Sequence, residues 1–172
     1  MSSATRERSA QLWKLALSDC AHRAIAQSAD LRHIQHGDAS ALGLLFFTAF
    51  HGTIDDIGQT EAQYASKATA ILAGQYGQWI SEASWTVEQT GGLQSACLVC
   101  DYQAYGCPVI AVIASAPGSQ RLGAAGALLD AALAKLSALG HSECSAMITN
   151  GNVASERLFR SRGFSPHTRS RN

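Results

Sequence analysis

The chain has 172 residues, 15% of them charged and 47% hydrophobic, which suits one globular domain with a good core and excludes a disordered chain or two ordinary domains. Thirteen Lys and Arg balance thirteen Asp and Glu, so no nucleic acid or other polyanion is the expected partner. No apolar stretch reaches the ~20 residues that span a bilayer, and Lys14, Ser18 and Asp19 interrupt any leader-like run near the start; a cytoplasmic protein with no membrane partner is expected.

In chain order, Leu12, Trp13, Ala16, Leu17 and Cys20 recur at helical spacing, which predicts an N-terminal helical extension over residues 1–30 ahead of a domain over 31–172. Leu31–Gln35 is a short strand candidate. Asp38 is placed to cap a helix whose apolar face is Leu42, Leu45, Phe46, Ala49 and Phe50. After the loop His51–Gln59, Thr60 and Gln63 fit a capping box that opens a second helix to about Leu72 or Gly74. Ser84–Gln89, Leu93–Tyr102 and Cys107–Ala116 read as strands, the first two joined as a hairpin by Thr90-Gly91-Gly92. A helix from Gly123 to Leu139 with Gly140 as its C-cap, a buried strand Ser145–Thr149 and a last helix Val153–Arg162 complete the pattern.

The segment PGSQRLGAAG (117–126) lies between an apolar run and a helical pattern. In that order the first N–H groups of the helix have no intrahelical partner, and the helix dipole adds positive character, so the turn can cradle a phosphate without a basic side chain. Gly123, Ala124, Ala125 and Gly126 are small enough for an anion to approach the main chain. The turn lacks the lysine of a P-loop, and its glycines do not fit G-x-G-x-x-G. The plainer alternative is a tight connection whose glycines serve only packing.

Gln120-Arg121-Leu122-Gly123-Ala124-Ala125 fits Q/R-x-x-G-x-G/A and resembles the acetyl-coenzyme A loop of the GCN5-related N-acetyltransferase (GNAT) family. Asn152, Ser155, Leu158, Phe159, Gly163 and Phe164, in NVASERLFRSRGF, are similar to the family's N-x-x-A-x-x-L-[YF]-x-x-x-G-F helix. The resemblance implies an α/β (α+β) GNAT acyl-CoA N-acyltransferase fold, a mixed and mostly antiparallel sheet flanked by helices. It also implies acetyl-CoA as co-substrate and transfer of the acetyl group to a primary amine of a small molecule, peptide or protein.

By the same resemblance, the amides from Leu122 to Gly126, with Gln120 and Arg121, hold the phosphates. A bulge near Ala114–Ser115 frees a backbone N–H to polarise the thioester carbonyl, and Asn152 and Phe159 line the cofactor arm. Asn152 also suits an ordinary N-cap, and Phe159 plain packing. Phe159 stands where relatives often carry a tyrosine, and the strand Cys107–Ala116 has no carboxylate, which keeps a non-catalytic coenzyme A or acyl-CoA sensor as the alternative function. Asp55 and Asp56 are the candidate bases, with His51 and Asp101 behind them; a turn or cap role is the alternative for each aspartate. The basic tail, Arg160, Arg162, Arg169 and Arg171, would be the only support for an RNA acceptor, and solvated charge explains it.

Only eight residues follow Gly163-Phe164. The family's longer closing strand is therefore short, absent, or supplied by the N-terminal extension or a second subunit, which leaves a homodimer open. Five cysteines and no leader do not suggest a disulfide framework. Cys97 and Cys100 form a C-x-x-C in a strand, where they face opposite sides of a sheet, so they are expected to be buried thiols and no metal site is expected.

Overall fold

The computed structural model describes residues 9–20 and 31–168. The strands are β1 Ala10–Ala16, β2 Leu31–His33, β3 Gln78–Trp79, β4 Trp85–Gln89, β5 Gly92–Tyr102, β6 Cys107–Ser115, β7 Glu143–Thr149 and β8 Ser165–Pro166. The α-helices are α1 Ala39–Phe50, α2 Glu61–Leu72, α3 Ala124–Ala138 and α4 Val153–Ser161. They form one sheet in the order β2-β4-β5-β6-β7-β1-β8, with β3 pairing on β5. Every pairing is antiparallel except β6 with β7. The expected mixed α/β architecture is thus present.

Central β5 sorts the core into two layers. Cys97 and Val99 pack with Leu128, Leu133, Phe159 and Phe164 from the side of α3 and α4. Ala96, Leu98 and Cys100 pack with Leu42, Phe46 and Ile71 from the side of α1 and α2. The period-two alternation of a strand buried on both faces produces this split. On the second side, α1 and α2 approach so closely that a Cβ added at Gly43 would lie 2.5 Å from Ala65 Cα.

Local signals place the helices largely as expected. Thr60 Oγ1 accepts from Gln63 N at 3.2 Å while Gln63 Oε1 accepts from Thr60 N at 2.8 Å, so the capping box opens α2. Asp38 precedes α1 but does not cap it with its side chain. Its carboxylate instead accepts from Arg32 at 2.8 and 3.0 Å and from Gln35 N at 2.8 Å, because the guanidinium offers a stronger, charge-assisted pair than a helix amide.

The expected N-terminal helix is not formed where residues are described. Residues 10–16 are β1, paired in full register with β7 from Ala10↔Thr149 to Ala16↔Glu143. Trp13, Leu15 and Leu17 are buried at alternate positions, a period of two that the helical spacing obscured. Pairing with β7 decides between the two readings, as tertiary context overrides local propensity. The rest of the expected extension, 1–8 and 21–30, lies outside the described residues. β1 takes the place of a longer closing strand, and two-residue β8 pairs on its far side at Trp13↔Pro166 and Lys14↔Ser165. The sheet is therefore completed from the N-terminal segment, one of the outcomes expected from the short C-terminus.

Leu15 is 4% exposed, and a Cβ built on Gly163 would lie 3.2 Å from its Cδ1. Leu15→Ala is expected to lower the stability of the whole domain by ~2–5 kcal/mol in urea unfolding. A separable N-terminal element would leave the main transition unmoved.

Candidate functional site

Strands β6 and β7 share only the pairs Val109↔Ser145 and Ile110↔Ala146. Past them β6 stays on β5 and β7 stays on β1, so a gap opens between β6 and β7. The β5–β6 register shifts between Leu98↔Val112 and Val99↔Ile110, which makes Ala111 the extra residue. The bulge expected near Ala114–Ser115 therefore lies earlier, at the last registered β6–β7 pairs, where one inserted residue bends β6 away. Pro117 only ends the strand.

Ala116 N donates to Gln94 O at 2.8 Å. Antiparallel alternation then turns the N–H groups of Ile113 and Ser115 away from β5, toward the gap. Ser115 keeps the expected backbone orientation, while its hydroxyl lies 2.7 Å from Ser95 Oγ. Ile113 is the residue that sequence reasoning missed here, because its orientation follows from the displaced bulge.

At the end of β6 a 3-10 turn, Pro117–Ser119, leads to Arg121 at φ 66° and Gly123 at φ 81°. Gly123 is the N-cap of α3 and brings no side-chain bond to the first turn, so the amides that begin α3 stay without an intrahelical or capping partner. A Cβ on Gly123 would meet nothing within 4 Å; the mouth of the turn is open. Gly126 is tight instead: a Cβ there would collide with the Arg162 guanidinium. Arg162 lies over the first turn of α3 and pairs with Asp130 through Nε–Oδ1 and Nη2–Oδ2, both 3.1 Å. Sequence reasoning left Arg162 in the basic tail. The retrievable signal was Gly126 and Asp130, four apart on one helix face.

A cleft of about 540 Å³ runs along this turn, walled by Gln120, Arg121, Ala124, Ala125, Ile54 and Arg162 among others. Ala114, Ser115, Gly123, Gly126 and Asn152 also border it, whereas the Leu122 side chain is 77% exposed and points elsewhere. A smaller cavity of about 330 Å³ lies beyond the gap, walled by Tyr64, Lys67, Ile110, Met147 and Phe159 with Ala10 of β1. Phe50, Asp55, Ile113, Asn152 and Ser155 border both.

The loop after α1 reaches across this junction. Asp55 accepts from Thr149 Oγ1 on Oδ1 at 2.7 Å and from Asn152 Nδ2 on Oδ2 at 2.6 Å. Asn152 Oδ1 in turn accepts from Ser155 N at 3.0 Å, so Asn152 caps α4 and holds Asp55 at once. Asp56 is a turn residue. Its carboxylate accepts from Gly52 N at 2.7 Å and Gly58 N at 2.8 Å and lies 3.3 Å from His51 Nδ1. Those amides hold its carboxyl below the usual range. Asp56, His51 and Asp101 border neither cavity.

Phe159 is buried and meets Phe164 edge to face at 5.0 Å, so the packing role expected of it is present. Tyr64 and Lys67 were not singled out from the sequence, where they look like ordinary positions of an amphipathic helix. Cys97 and Cys100 sit in different core layers, and burial pushes their thiols up to about 12 and about 11. Among the described residues no group of three or more His, Cys, Asp or Glu could hold a metal ion, and no helix is long and apolar enough to cross a membrane.

Residues 59–164 match the model of the acetyltransferase (GNAT) family. No curated protein is similar in sequence. Among solved structures, a GCN5-related N-acetyltransferase from Sphaerobacter thermophilus is similar over 93% of this chain and 49% of its own, at 17% identity and a TM-score of 0.70. The ribosomal-protein-S18-alanine N-acetyltransferase of Escherichia coli is similar over 80% of this chain and 78% of its own, at 20% identity and 0.61. An aminoglycoside 6'-N-acetyltransferase from Acinetobacter haemolyticus is similar over 83% and 94%, at 15% identity and 0.61. At these identities the likeness is one of fold. The chain spans only 49% to 61% of the length of three of the longer solved relatives.

Because amides lower the Asp56 carboxyl below its ordinary 3.8, the bonds to Gly52 and Gly58 are fully made above that value and lost as pH falls through the lowered one. Protection of these two amides in hydrogen exchange is expected to drop across that acid window. Asp56→Asn is expected to remove the pH step and to leave at least one of the two amides unprotected at neutral pH.

Proposed function

Since the chain belongs to the acetyltransferase (GNAT) family, we propose that it transfers the acetyl group of acetyl-CoA to a primary amine of a small molecule, peptide or protein. The observation that carries this reading is the gap between β6 and β7, with an uncapped helix N-terminus at one end and a fixed carboxylate, Asp55, at the other. The residues suit the cofactor, because the mouth of the turn at Gly123 is open to an anion and the amides behind it are unpartnered. The amides over Leu122–Gly126 would hold the pyrophosphate. Gln120, Arg121 and Arg162 stand around it, while Ala114, Ser115 and Asn152 border the arm; Phe159, expected there, walls the inner cavity instead.

When bound, acetyl-CoA supplies an activated acyl thioester. An incoming amine forms the new C–N bond as the C–S bond breaks with its electron pair on sulfur. Overall, R–NH₃⁺ and the thioester become the amide, the free thiol and one released proton. The N–H groups of Ile113 and Ser115 face the gap and can stabilise charge that develops on the carbonyl oxygen. Asp55 can hold the ammonium or take its proton, and its reach into both cavities suits either role.

The proton for sulfur comes from water in this scheme, because Phe159 has none to give. A positioned acid is worth ~10²–10⁴ in rate, or ~3–5.5 kcal/mol, whereas proximity alone supplies ~7–11 kcal/mol. Turnover without that acid is therefore reasonable. The same Phe159 favours a second reading, a coenzyme A sensor without catalysis. An amine panel with acetyl-CoA, followed by free thiol, separates the two: acceptor-dependent thiol supports transfer, and its absence with intact coenzyme A binding supports the sensor.

Gly123→Asp is expected to weaken coenzyme A binding in calorimetry by about tenfold or more. Gly123→Asn keeps a similar shape in a left-handed position that asparagine tolerates, and is expected to bind much closer to the parent. Equal affinities for both variants would remove the anion from this turn.

A further inference from the structure

Among the described residues that wall the outer cleft, the formally charged side chains are Asp55, Arg121 and Arg162. Asp55 is bonded to Asn152, the N-cap of α4, whereas Arg162 is the C-cap of the same helix. Residues 152 to 162 span ~15 Å at ~1.5 Å per helical residue. Arg121 lies just ahead of Gly123, and the Arg162 guanidinium lies against Gly126. The cationic side chains of the cleft therefore stand at its α3 end, a helix length from the gap.

Resting on the acetyl-CoA reading, we propose that Arg162 binds the phosphate monoester on the coenzyme's nucleotide, so that the site selects coenzyme A over its 3′-dephospho form. The charges call for a cation there. A phosphate monoester carries about −1.5 to −2 at pH 7. The helix end supplies only about +0.5, and that end faces the pyrophosphate. A guanidinium adds a full charge and a planar set of N–H groups that match phosphate oxygens.

Arg162 has such groups to give. Of the five N–H groups of a guanidinium, Nε–H and one on Nη2 serve Asp130, and one on Nη1 serves Ser161 Oγ at 2.8 Å. Among the described residues, one N–H on each Nη is left without a partner. The side chain is 23% exposed and walls the cleft, so these donors are fixed by Asp130 and still reachable. Gly126 is what admits them. It is the third residue of α3, where alanine would favour the helix, yet a Cβ there would collide with Arg162 Nη2. That atom is the far end of a flexible side chain, so an added methyl moves the guanidinium and not the helix.

The test is calorimetry of coenzyme A and 3′-dephospho-coenzyme A against the full chain. The parent is expected to bind coenzyme A about tenfold or more tightly than the dephospho form, the factor of one charge-assisted contact. Arg162→Gln is expected to shrink that ratio to about twofold or less. Gly126→Ala is expected to shrink it as far with Arg162 and Asp130 both retained, and adding Arg162→Gln to it costs nothing more. Any unfolded fraction weakens both ligands alike, so the ratio reads the contact and not the fold. Equal binding of the two forms by the parent would overturn the assignment. So would a ratio that survives Arg162→Gln even where both affinities fall, which would move Arg162 to the pyrophosphate. Failure of the parent to bind either form would overturn the acetyl-CoA reading itself.

Discussion

The parallel pairing of β6 with β7 stops after Ile110↔Ala146, while each strand continues on its outer neighbour. Two strands held firmly on one side and released on the other leave a row of N–H and C=O groups facing a space that nothing in the sheet can fill. Such groups are costly when buried without partners. They are useful where the space opens to a ligand, because donors fixed in advance need no reorganisation when charge develops beside them. Both cavities open on this gap, and Ile113 borders both.

The gap persists because its sides are tied elsewhere. β1 pairs along all seven registered positions of β7, which anchors the outer edge of β7 while its inner edge past Ala146 faces the gap. The hydroxyl of Ser95 donates to Ala114 O at 2.9 Å, which adds a side-chain tie between β5 and the free end of β6. Across the opening, Asp55 fastens the loop after α1 to β7 and α4 through Thr149 and Asn152. At the far end the Arg162–Asp130 pair joins the end of α4 to α3. Both ties use a charged partner, and hydrogen bonds of that kind are worth roughly 1.5–3 kcal/mol. Removing one partner would leave the other's charge poorly served.

The sequence shows the elements whose period is their own and hides those that a distant partner defines. Helices α1 to α4 and the strands from β4 to β7 carry local periodicity, caps or turns. β1 is a strand because β7 accepts it along its length, more than a hundred residues away, and helical spacing was the stronger local signal. β3 and β8 have two residues each, too short for any period. In the site, the turn at Gly123 was legible because a left-handed N-cap favours glycine, and Asn152 because capping favours asparagine. Asp55 and Asp56 were indistinguishable. Only the folded loop turns one toward Thr149 and Asn152 and commits the other to Gly52 and Gly58.

That contrast divides the site by the kind of recognition each half uses. The outer cleft is built largely from one continuous stretch, residues 113–126, and offers main-chain groups along it. Its requirement falls on backbone conformation, so it leaves a motif of small residues that can be read directly. The inner cavity is assembled from α1, α2, β1, β6, β7 and α4, and offers side chains. Its requirement falls on the identity of residues that are remote in sequence, such as Ala10, Lys67 and Met147, and each of them passes locally for an ordinary helix or strand position. Substitution in the inner cavity can therefore change which molecule is taken without disturbing the turn at Gly123. A change in the outer stretch acts on whatever acceptor the inner cavity holds. The gap at Ile113 is where the two requirements meet, since its N–H faces the opening and the residue borders both spaces.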